Sequence, residues 1–227
     1  MRIYIIIILV GLFPVITFPQ IIKKDTLTKI SITGKEKRFT ITDCGTLIAI
    51  GELGRFHDKK TKYFIGNYIG KNFKFALFYK KLFLECDFRP ATINVYNNLN
   101  FKNNVLNRNA NLNIINTDIT IGYSHCFLKN LSIEPYIGYL STAFFVINED
   151  VIKQNYDFSP VRGITTGFIL NKYFRISKRS VDYFVIFLSN SMNFSNYNNF
   201  YYEMGNSFYS VELGIGFKGL FLKRIKN

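Results

Sequence analysis

Two alternating segments joined by a short polar turn constrain the fold more than any other feature of this 227-residue chain. In the first, mainly apolar residues take every second position from Ile115 to Tyr123, and small or polar residues take the positions between. The second repeats this scheme from Leu131 to Leu140. A period of two belongs to a β-strand, because a helix repeats every 3.6 residues. The stretch from Leu112 to Phe145 is therefore predicted to be a β-hairpin.

A further alternating segment indicates whether the polar face of such strands meets water or a dry core. Between residues 84 and 89, apolar residues alternate with Glu85, Asp87 and Arg89. Charged side chains at every second position need water or partners, so a dry core on both faces is excluded. The arms of the hairpin are also longer than the usual strand of about 5 to 6 residues. Together these features favour the wall of a membrane β-barrel with a polar lumen.

The same reading along the chain predicts eight strands separated by connections that alternate between long and short. The predicted strands are residues 44–56, 73–80, 84–89, 115–124, 131–140, 163–172, 184–189 and 209–218, and the long polar connections are 57–71, 97–113, 148–162 and 190–206. An up-and-down membrane barrel alternates short periplasmic turns with longer external loops in this way. The predicted fold class is therefore all-β, an antiparallel up-and-down eight-stranded transmembrane β-barrel.

The amino terminus predicts a signal peptide over residues 1–20. Arg2 precedes an apolar run that reaches Phe18 and is interrupted by Gly11 and Pro14. This run is shorter than the about 20 apolar residues of a permanent transmembrane helix. No small-x-small cleavage triplet is present, so an uncleaved anchor is the alternative. Residues 21–42 are predicted to be an extended N-terminal lead, residues 43–222 the barrel, and residues 223–227 a basic C-terminal tail.

Composition adds to the all-β prediction and excludes some partners. The chain has 15 Tyr and 24 Phe, residue types that favour strands. A formal charge of +14 would normally suggest nucleic acid or an anionic membrane. No nucleic-acid-binding motif is present, and Lys, Asn, Ile, Phe and Tyr are abundant together, as an AT-rich coding sequence would produce, so no nucleic-acid partner is expected. Cys44, Cys86 and Cys126 fit neither a zinc site nor a disulfide framework, so no metal or cofactor is expected.

On this strand pattern, and on its last alternating strand from Tyr209 to Lys218, the chain resembles the small eight-stranded outer-membrane barrels of Gram-negative bacteria, the OmpA/OmpX type. The resemblance covers about residues 43 to 222, and the Asn- and Lys-rich composition resembles such proteins from the Bacteroidetes. It implies a monomer in the bacterial outer membrane, secreted across the inner membrane with a cleaved signal peptide. The implied partners are outer-membrane lipid, lipopolysaccharide and the barrel-assembly machinery during insertion. The last strand departs from the family pattern because Phe221 is not terminal.

A barrel of eight strands has a lumen just wide enough to be filled by side chains. A structural polar network is therefore predicted there, formed by Lys74, Glu85, Asp87, Arg89, Asp118, Glu134, Glu212 and Lys218. Tyrosines at the membrane interface are predicted at positions 123, 136, 139, 183 and 209, where an amphipathic ring suits the headgroup level.

The leading functional prediction is a non-enzymatic outer-membrane barrel with a structural or surface-interaction role through long extracellular loops, and with an unknown surface partner. One alternative is a lipid-modifying outer-membrane enzyme, for which His57 and His125 are the available bases. Ser124 and His125 are adjacent on a strand and point to opposite faces, so no catalytic residue is predicted. A small channel, a secretion-system accessory and a soluble lipocalin-like binding barrel are further alternatives. The last requires a polar outward face.

Overall fold

The computed structural model describes residues 26–30, 36–100, 105–128, 130–146, 160–176 and 181–224 of the chain. The predicted signal peptide and the last part of the predicted tail, residues 225–227, lie outside the described residues.

Twelve strands are present in the described part of the chain, and eight of them are long. The long strands are β2 (Glu36–His57), β3 (Tyr68–Tyr79), β4 (Leu82–Asn94), β7 (Asn111–Tyr123), β9 (Leu131–Val146), β10 (Val161–Arg175), β11 (Asp182–Ser195) and β12 (Ser207–Arg224). The short strands are β1 (Thr26–Ile30), β5 (Leu99–Asn100), β6 (Val105–Leu106) and β8 (His125–Leu128).

The eight long strands form one closed antiparallel sheet. Each pairs with the long strands before and after it in the sequence, and β2 pairs with both β3 and β12. The pairing of β2 with β12 joins the first and last long strands and closes the cylinder. The predicted fold class, an eight-stranded up-and-down barrel, is confirmed.

The two ends of the barrel differ in their connections, as the sequence predicts. At the short-turn end, β3 is followed at once by β4, and β8 folds back on β9. At the long-loop end lie helix α1 (Lys59–Ile65), the β5–β6 hairpin and a 3-10 helix (Tyr197–Asn199). The predicted loop between β9 and β10 lies mostly outside the described residues.

Three of the predicted loops contain regular structure that the sequence analysis missed. The predicted loop 190–206 holds the 3-10 helix Tyr197–Asn199. The predicted loop 57–71 holds α1, whose first turn is capped by the Asp58 carboxylate, which accepts hydrogen bonds from the backbone N–H groups of Lys60 and Thr61, both at 3.0 Å. Such a cap satisfies N–H groups that the first turn leaves without partners. The predicted loop 97–113 holds the β5–β6 hairpin. Helix α1 has seven residues and each strand of the hairpin has two, so neither element is long enough to establish a clear sequence period.

At mid-height of the barrel, polar residues of the long strands point inward and apolar residues point outward. On β7, Asp118 and Thr120 are buried, whereas Ile119 and Ile121 are more than half exposed. The lipocalin-like alternative needs the opposite arrangement and is wrong. The prediction of an interface position is also wrong for two tyrosines. Tyr136 is buried in the lumen, and the half-buried Tyr183 packs against the apolar cluster to which Tyr136 belongs.

The lumen is filled in four levels, which follow one another along the strands. An apolar cluster occupies the long-loop end, charged residues lie below it, a second apolar cluster follows, and Glu134 lies near the short turns. The second cluster contains the rings of Phe83 and Phe187. Gly122 and Gly214 make room for these rings, because a Cβ atom at either glycine would overlap the aromatic side chain.

The pairing of β2 with β12 continues past the short-turn end of the barrel. It extends from His57 and Phe208 to Phe39 and Arg224, with one irregularity between Leu220 and Leu222. Beyond the last contact of β2 with β3, strand β1 pairs with the start of β2 and completes a three-stranded ribbon. The first long strand therefore begins at residue 36, before the predicted start near residue 44.

Candidate functional site

The lumen contains all eight residues that the sequence assigns to a polar network. Seven are at most 3% exposed, and the half-buried Lys218 points its Nζ atom at the inward ring of Phe78, 3.6 Å from the ring centre. Six of the eight meet at mid-height in one group, the central network. It consists of Lys74, Glu85, Asp87, Arg89, Asp118 and Glu212.

Lys74 links strands from different parts of the wall. Its Nζ atom lies 3.0 Å from Oε1 of Glu85 on the neighbouring strand β4. The same atom lies 3.8 Å from Oε2 of Glu212 on β12 and 3.9 Å from Oδ1 of Asp87. A buried ammonium group is stable only with such partners, because its transfer from water costs several kcal/mol. Lys74 therefore stabilises the contact between sequence-distant strands.

Arg89 separates two carboxylates that the strand register places side by side. Asp87 and Asp118 are directly opposite on β4 and β7, and like charges in this position are destabilising. Arg89 binds Asp87 through Nη2 at 2.6 Å and Asp118 through Nη1. Its Nη2 atom also lies 3.9 Å from Oε2 of Glu212. The guanidinium thus offsets the repulsion that the register creates.

The central network has four carboxylates and only two basic side chains. Part of this imbalance is met by neutral groups, since Asn72 donates a hydrogen bond of 2.7 Å from Nδ2 to Oε1 of Glu212. The buried Arg55 adds a third cation towards the long-loop end. Its Nη1 atom donates to the Tyr68 hydroxyl at 2.8 Å, and its guanidinium lies 4.2 Å from the ring centre of Phe208.

Arg55 is a functional candidate that the sequence analysis missed. Residues 47 to 50 on the same strand are apolar on both faces, so the inward face of β2 could not be assigned. The wall explains this ambiguity, because Leu47 and Ala49 join the second apolar cluster while Ile48 and Ile50 are exposed on the outside. The charge of Arg55 could have identified the inward face of β2, because a basic side chain is disfavoured on the outward face of a membrane barrel.

Glu134 and Lys218 do not join the central network. Glu134 Oε1 accepts hydrogen bonds from Ser124 Oγ at 2.6 Å, Tyr173 OH at 3.0 Å and Ser132 Oγ at 3.2 Å. These groups lie at the short-turn end, on the other side of the second apolar cluster. The lumen therefore holds two separate polar levels instead of the single network that the sequence predicts.

The two histidines have no arrangement suited to general base catalysis. His57 is buried among the rings of Tyr68, Tyr197 and Phe208, and its Nδ1 atom lies 2.7 Å from the carbonyl oxygen of Gly66. His125 is half-buried, and the neighbouring Ser124 directs its hydroxyl group to Glu134. In the described part of the chain, no serine hydroxyl is hydrogen-bonded to either histidine.

Among the described residues, no three His, Cys, Asp or Glu side chains converge as metal ligands would. No helix in the same residues has both the length and the apolar character needed to cross a membrane.

The long-loop end is closed by an apolar cap. The cap combines residues of α1, the β5–β6 hairpin and the 3-10 helix with inward residues of the strands. Its most buried members include Ile65, Leu99, Leu106, Leu140 and Tyr197, all at most 1% exposed. Phe144 from the wall stacks on Phe200 from the last long connection, with ring centres 3.9 Å apart. The described parts of three connections at this end are therefore packed on the barrel.

Comparison with known proteins identifies the fold of the chain. No protein-family model matches it, and no characterised protein matches its sequence. Among solved structures, Ail, the attachment invasion locus protein of Yersinia pestis, solved with the heparin analogue sucrose octasulfate, is 13% identical with a TM-score of 0.50; the match covers 78% of this chain and 99% of Ail. The outer membrane protein OprG from Pseudomonas aeruginosa is 9% identical with a TM-score of 0.48, covering 78% of this chain and 96% of OprG. Neisserial surface protein A is 10% identical with a TM-score of 0.48, covering 79% of this chain and 98% of that protein. The chain has the closed eight-stranded antiparallel fold of small outer-membrane β-barrels.

Proposed function

We propose that this chain is a non-enzymatic barrel of the bacterial outer membrane that acts in surface interaction through its long-loop end. The observation that carries the proposal is the apolar cap, which holds three connections in a fixed arrangement on the barrel mouth. Loops presented by a rigid scaffold are where recognition sites are usually placed. An ordered outer end above a filled lumen suits recognition better than passage of a solute.

The filled lumen supports this function over that of a small channel. The cap occupies one end, and at mid-height each member of the central network is at most 3% exposed. A narrow lumen packed with paired side chains has no space for a solute. In planar bilayers, we expect the purified protein to give no conductance above that of the bare bilayer. Discrete conductance steps would contradict the proposal.

The outward faces of the long strands support the proposed location. Apolar side chains cover the outward faces of the long strands, as contact with lipid requires. We propose that the barrel contacts outer-membrane lipid and lipopolysaccharide as a monomer, after secretion with a cleaved signal peptide and insertion by the barrel-assembly machinery. An OmpA/OmpX-type relationship and a source in the Bacteroidetes are further parts of the proposal.

The orientation of the barrel provides a direct test. In a protein whose Cys44, Cys86 and Cys126 are replaced by Ser, a single cysteine is introduced by Asn107→Cys at the long-loop end or by Asn130→Cys at the short-turn end; both positions are exposed. Intact cells are then treated with a membrane-impermeant maleimide. We expect labelling of the first variant in intact cells and of the second only after lysis. Labelling of the second variant alone in intact cells would place the long-loop end in the periplasm and contradict the proposal.

A further inference from the structure

A concave site lies on the outer side of the apolar cap. It encloses about 370 Å³ between α1, the segment around the β5–β6 hairpin and the connection before β12. Small-molecule sites in proteins usually enclose roughly 300 to 1,000 Å³, so this space suits a small ligand or one end of a longer one. Three independent parts of the chain therefore form a single recess at the end of the barrel.

A row of four aromatic rings fixes one side of this recess. The ring centres of Tyr63 and Phe64 are 5.0 Å apart, those of Phe64 and Tyr201 are 4.9 Å apart, and those of Tyr201 and Tyr202 are 5.0 Å apart. The inner rings, Phe64 and Tyr201, are at most 5% exposed, whereas Tyr63 is 60% and Tyr202 69% exposed. The outer rings are thus anchored by buried neighbours, and both residues line the recess.

The remaining lining is polar and locally held. Asn97 donates a hydrogen bond of 2.6 Å from Nδ2 to the carbonyl oxygen of Tyr63, which joins the hairpin segment to α1. Asn98 Oδ1 accepts a hydrogen bond of 2.7 Å from the backbone N–H of Arg108. Asn100, the Arg108 side chain and Glu203 complete the polar lining. One cation and one anion give the recess no formal net charge.

This combination defines the chemical class of the ligand. Sugar rings carry hydroxyl groups that both donate and accept hydrogen bonds, as amide side chains do, and they have apolar faces that pack on aromatic rings. An apolar ligand would leave the amides and charged groups without partners, and a polyanion would need more than one base. We propose that the recess binds a neutral oligosaccharide, with Tyr63 and Tyr202 as stacking platforms. This inference rests on the proposed function, since it names a ligand for the outer end of the barrel.

Glu203 follows Tyr202 in the lining of the recess. A side-chain hydrogen bond to the Glu203 carboxylate raises the pKa of the Tyr202 phenol, which is neutral near pH 7 in any case because the ordinary pKa of tyrosine is about 10.

Binding is tested on the full-length protein in lipid nanodiscs by calorimetric titration. The probes are maltotetraose, chitotetraose and lacto-N-tetraose as neutral sugars, a heparin-derived tetrasaccharide as a polyanion, and tetraglycine as a peptide. We expect at least one neutral tetrasaccharide to bind, and Tyr63→Ala and Tyr202→Ala each to weaken it by about 10-fold, as expected for loss of one well-packed ring. Tyr79→Ala removes a similarly exposed tyrosine from the short-turn end and serves as the matched control, with an expected change of less than about 2-fold.

Several outcomes would overturn the inference. They are absence of binding by all three neutral sugars up to about 10 mM, binding of the heparin fragment or tetraglycine alone, and binding that is equally strong in both tyrosine variants. Correct folding of each variant is checked by the heat-dependent shift of its band in electrophoresis. Failure of sugar binding with correct maleimide labelling overturns only this inference, whereas labelling from the periplasmic side overturns the proposed function.

Discussion

The central network and the apolar cap fill neighbouring levels of the same lumen by different physical means. In the network, each charged side chain is stable only because its partners are present, since an isolated buried charge costs several kcal/mol. In the cap, each side chain contributes mainly through the apolar surface that it removes from water. Loss of a shared cation in the network therefore affects every carboxylate that it binds, whereas loss of one cap residue acts locally. We therefore expect the central network and the apolar cap to be stabilised independently.

The largest expected effect comes from removing the shared partner in the network. Arg89→Met leaves Asp87 and Asp118 opposite each other without a cation between them. We expect a loss of about 3 to 5 kcal/mol in the free energy of unfolding, the usual range for breaking a buried ion pair. Urea unfolding in lipid vesicles measures it, and the exposed Arg162→Met serves as control. A loss below about 1 kcal/mol would mean that the network is not coupled as described.

A smaller effect is expected from opening a cavity in the cap. Leu106→Ala, at a residue 1% exposed, should cost about 2 to 3 kcal/mol, the lower part of the range for such changes because the short hairpin can partly collapse into the space. Hydrogen exchange should rise in α1 and the β5–β6 hairpin and stay unchanged in β4 and β7. Val105→Ala, at the exposed neighbouring position, is the control. Faster exchange throughout the wall would show that the two levels are not independent.

Removing the Asp58 carboxylate, which caps the start of α1, should affect hydrogen exchange over an even smaller part of the chain. The Asp58 carboxylate accepts hydrogen bonds from the first turn of α1 and from the backbone N–H of Ser207 at 3.2 Å. Asp58→Ala should cost about 1 to 2 kcal/mol, measured as increased hydrogen exchange in α1. Lys60→Ala, at an exposed position in the same turn, should change exchange little. Equal effects of both changes would contradict the capping role.

The smallest expected effect comes from removing a carboxylate from the network. Glu85→Gln takes away one of four acids that share two bases, and an amide can still accept a hydrogen bond from Lys74. We expect the free energy of unfolding to change by less than about 1 kcal/mol, in contrast to the change at Arg89. The same urea titration measures both variants. A loss as large as that of Arg89→Met would contradict the expectation that a network with more carboxylates than bases tolerates the loss of one carboxylate.

The wall could be predicted from the sequence because its outward and inward faces carry opposite kinds of side chain on alternate residues. Period-two patterns in β4, β7 and β12 therefore report both the strand and the face of each side chain. The pattern is lost where both sides are apolar. This happens at residues 47 to 50, where the second apolar cluster lies inside the wall and the exposed apolar belt lies outside it.

The partners of each lumen residue could not be predicted in the same way. Contact between Lys74 and Glu212 depends on the curvature that brings β3 and β12 together across the intervening β2. The cap was missed because Phe64, Tyr197 and Met204 lie in connections and share no sequence period. Asp58 could have indicated the start of α1, since aspartate is a preferred residue at the start of a helix.

The long pairing of β2 with β12 has a consequence for how the barrel forms. It is the longest ladder in the sheet, and it joins residues at opposite ends of the described chain, such as Phe39 and Arg224. Loop-closure entropy makes such a contact the slowest to find, whereas hairpins between sequence neighbours form early. The many hydrogen bonds of the long ladder offset that entropy once the first pairs have met. We therefore expect the pairing of β2 with β12 to be the last step in closing the cylinder, and the ribbon beyond the wall adds hydrogen bonds to that step.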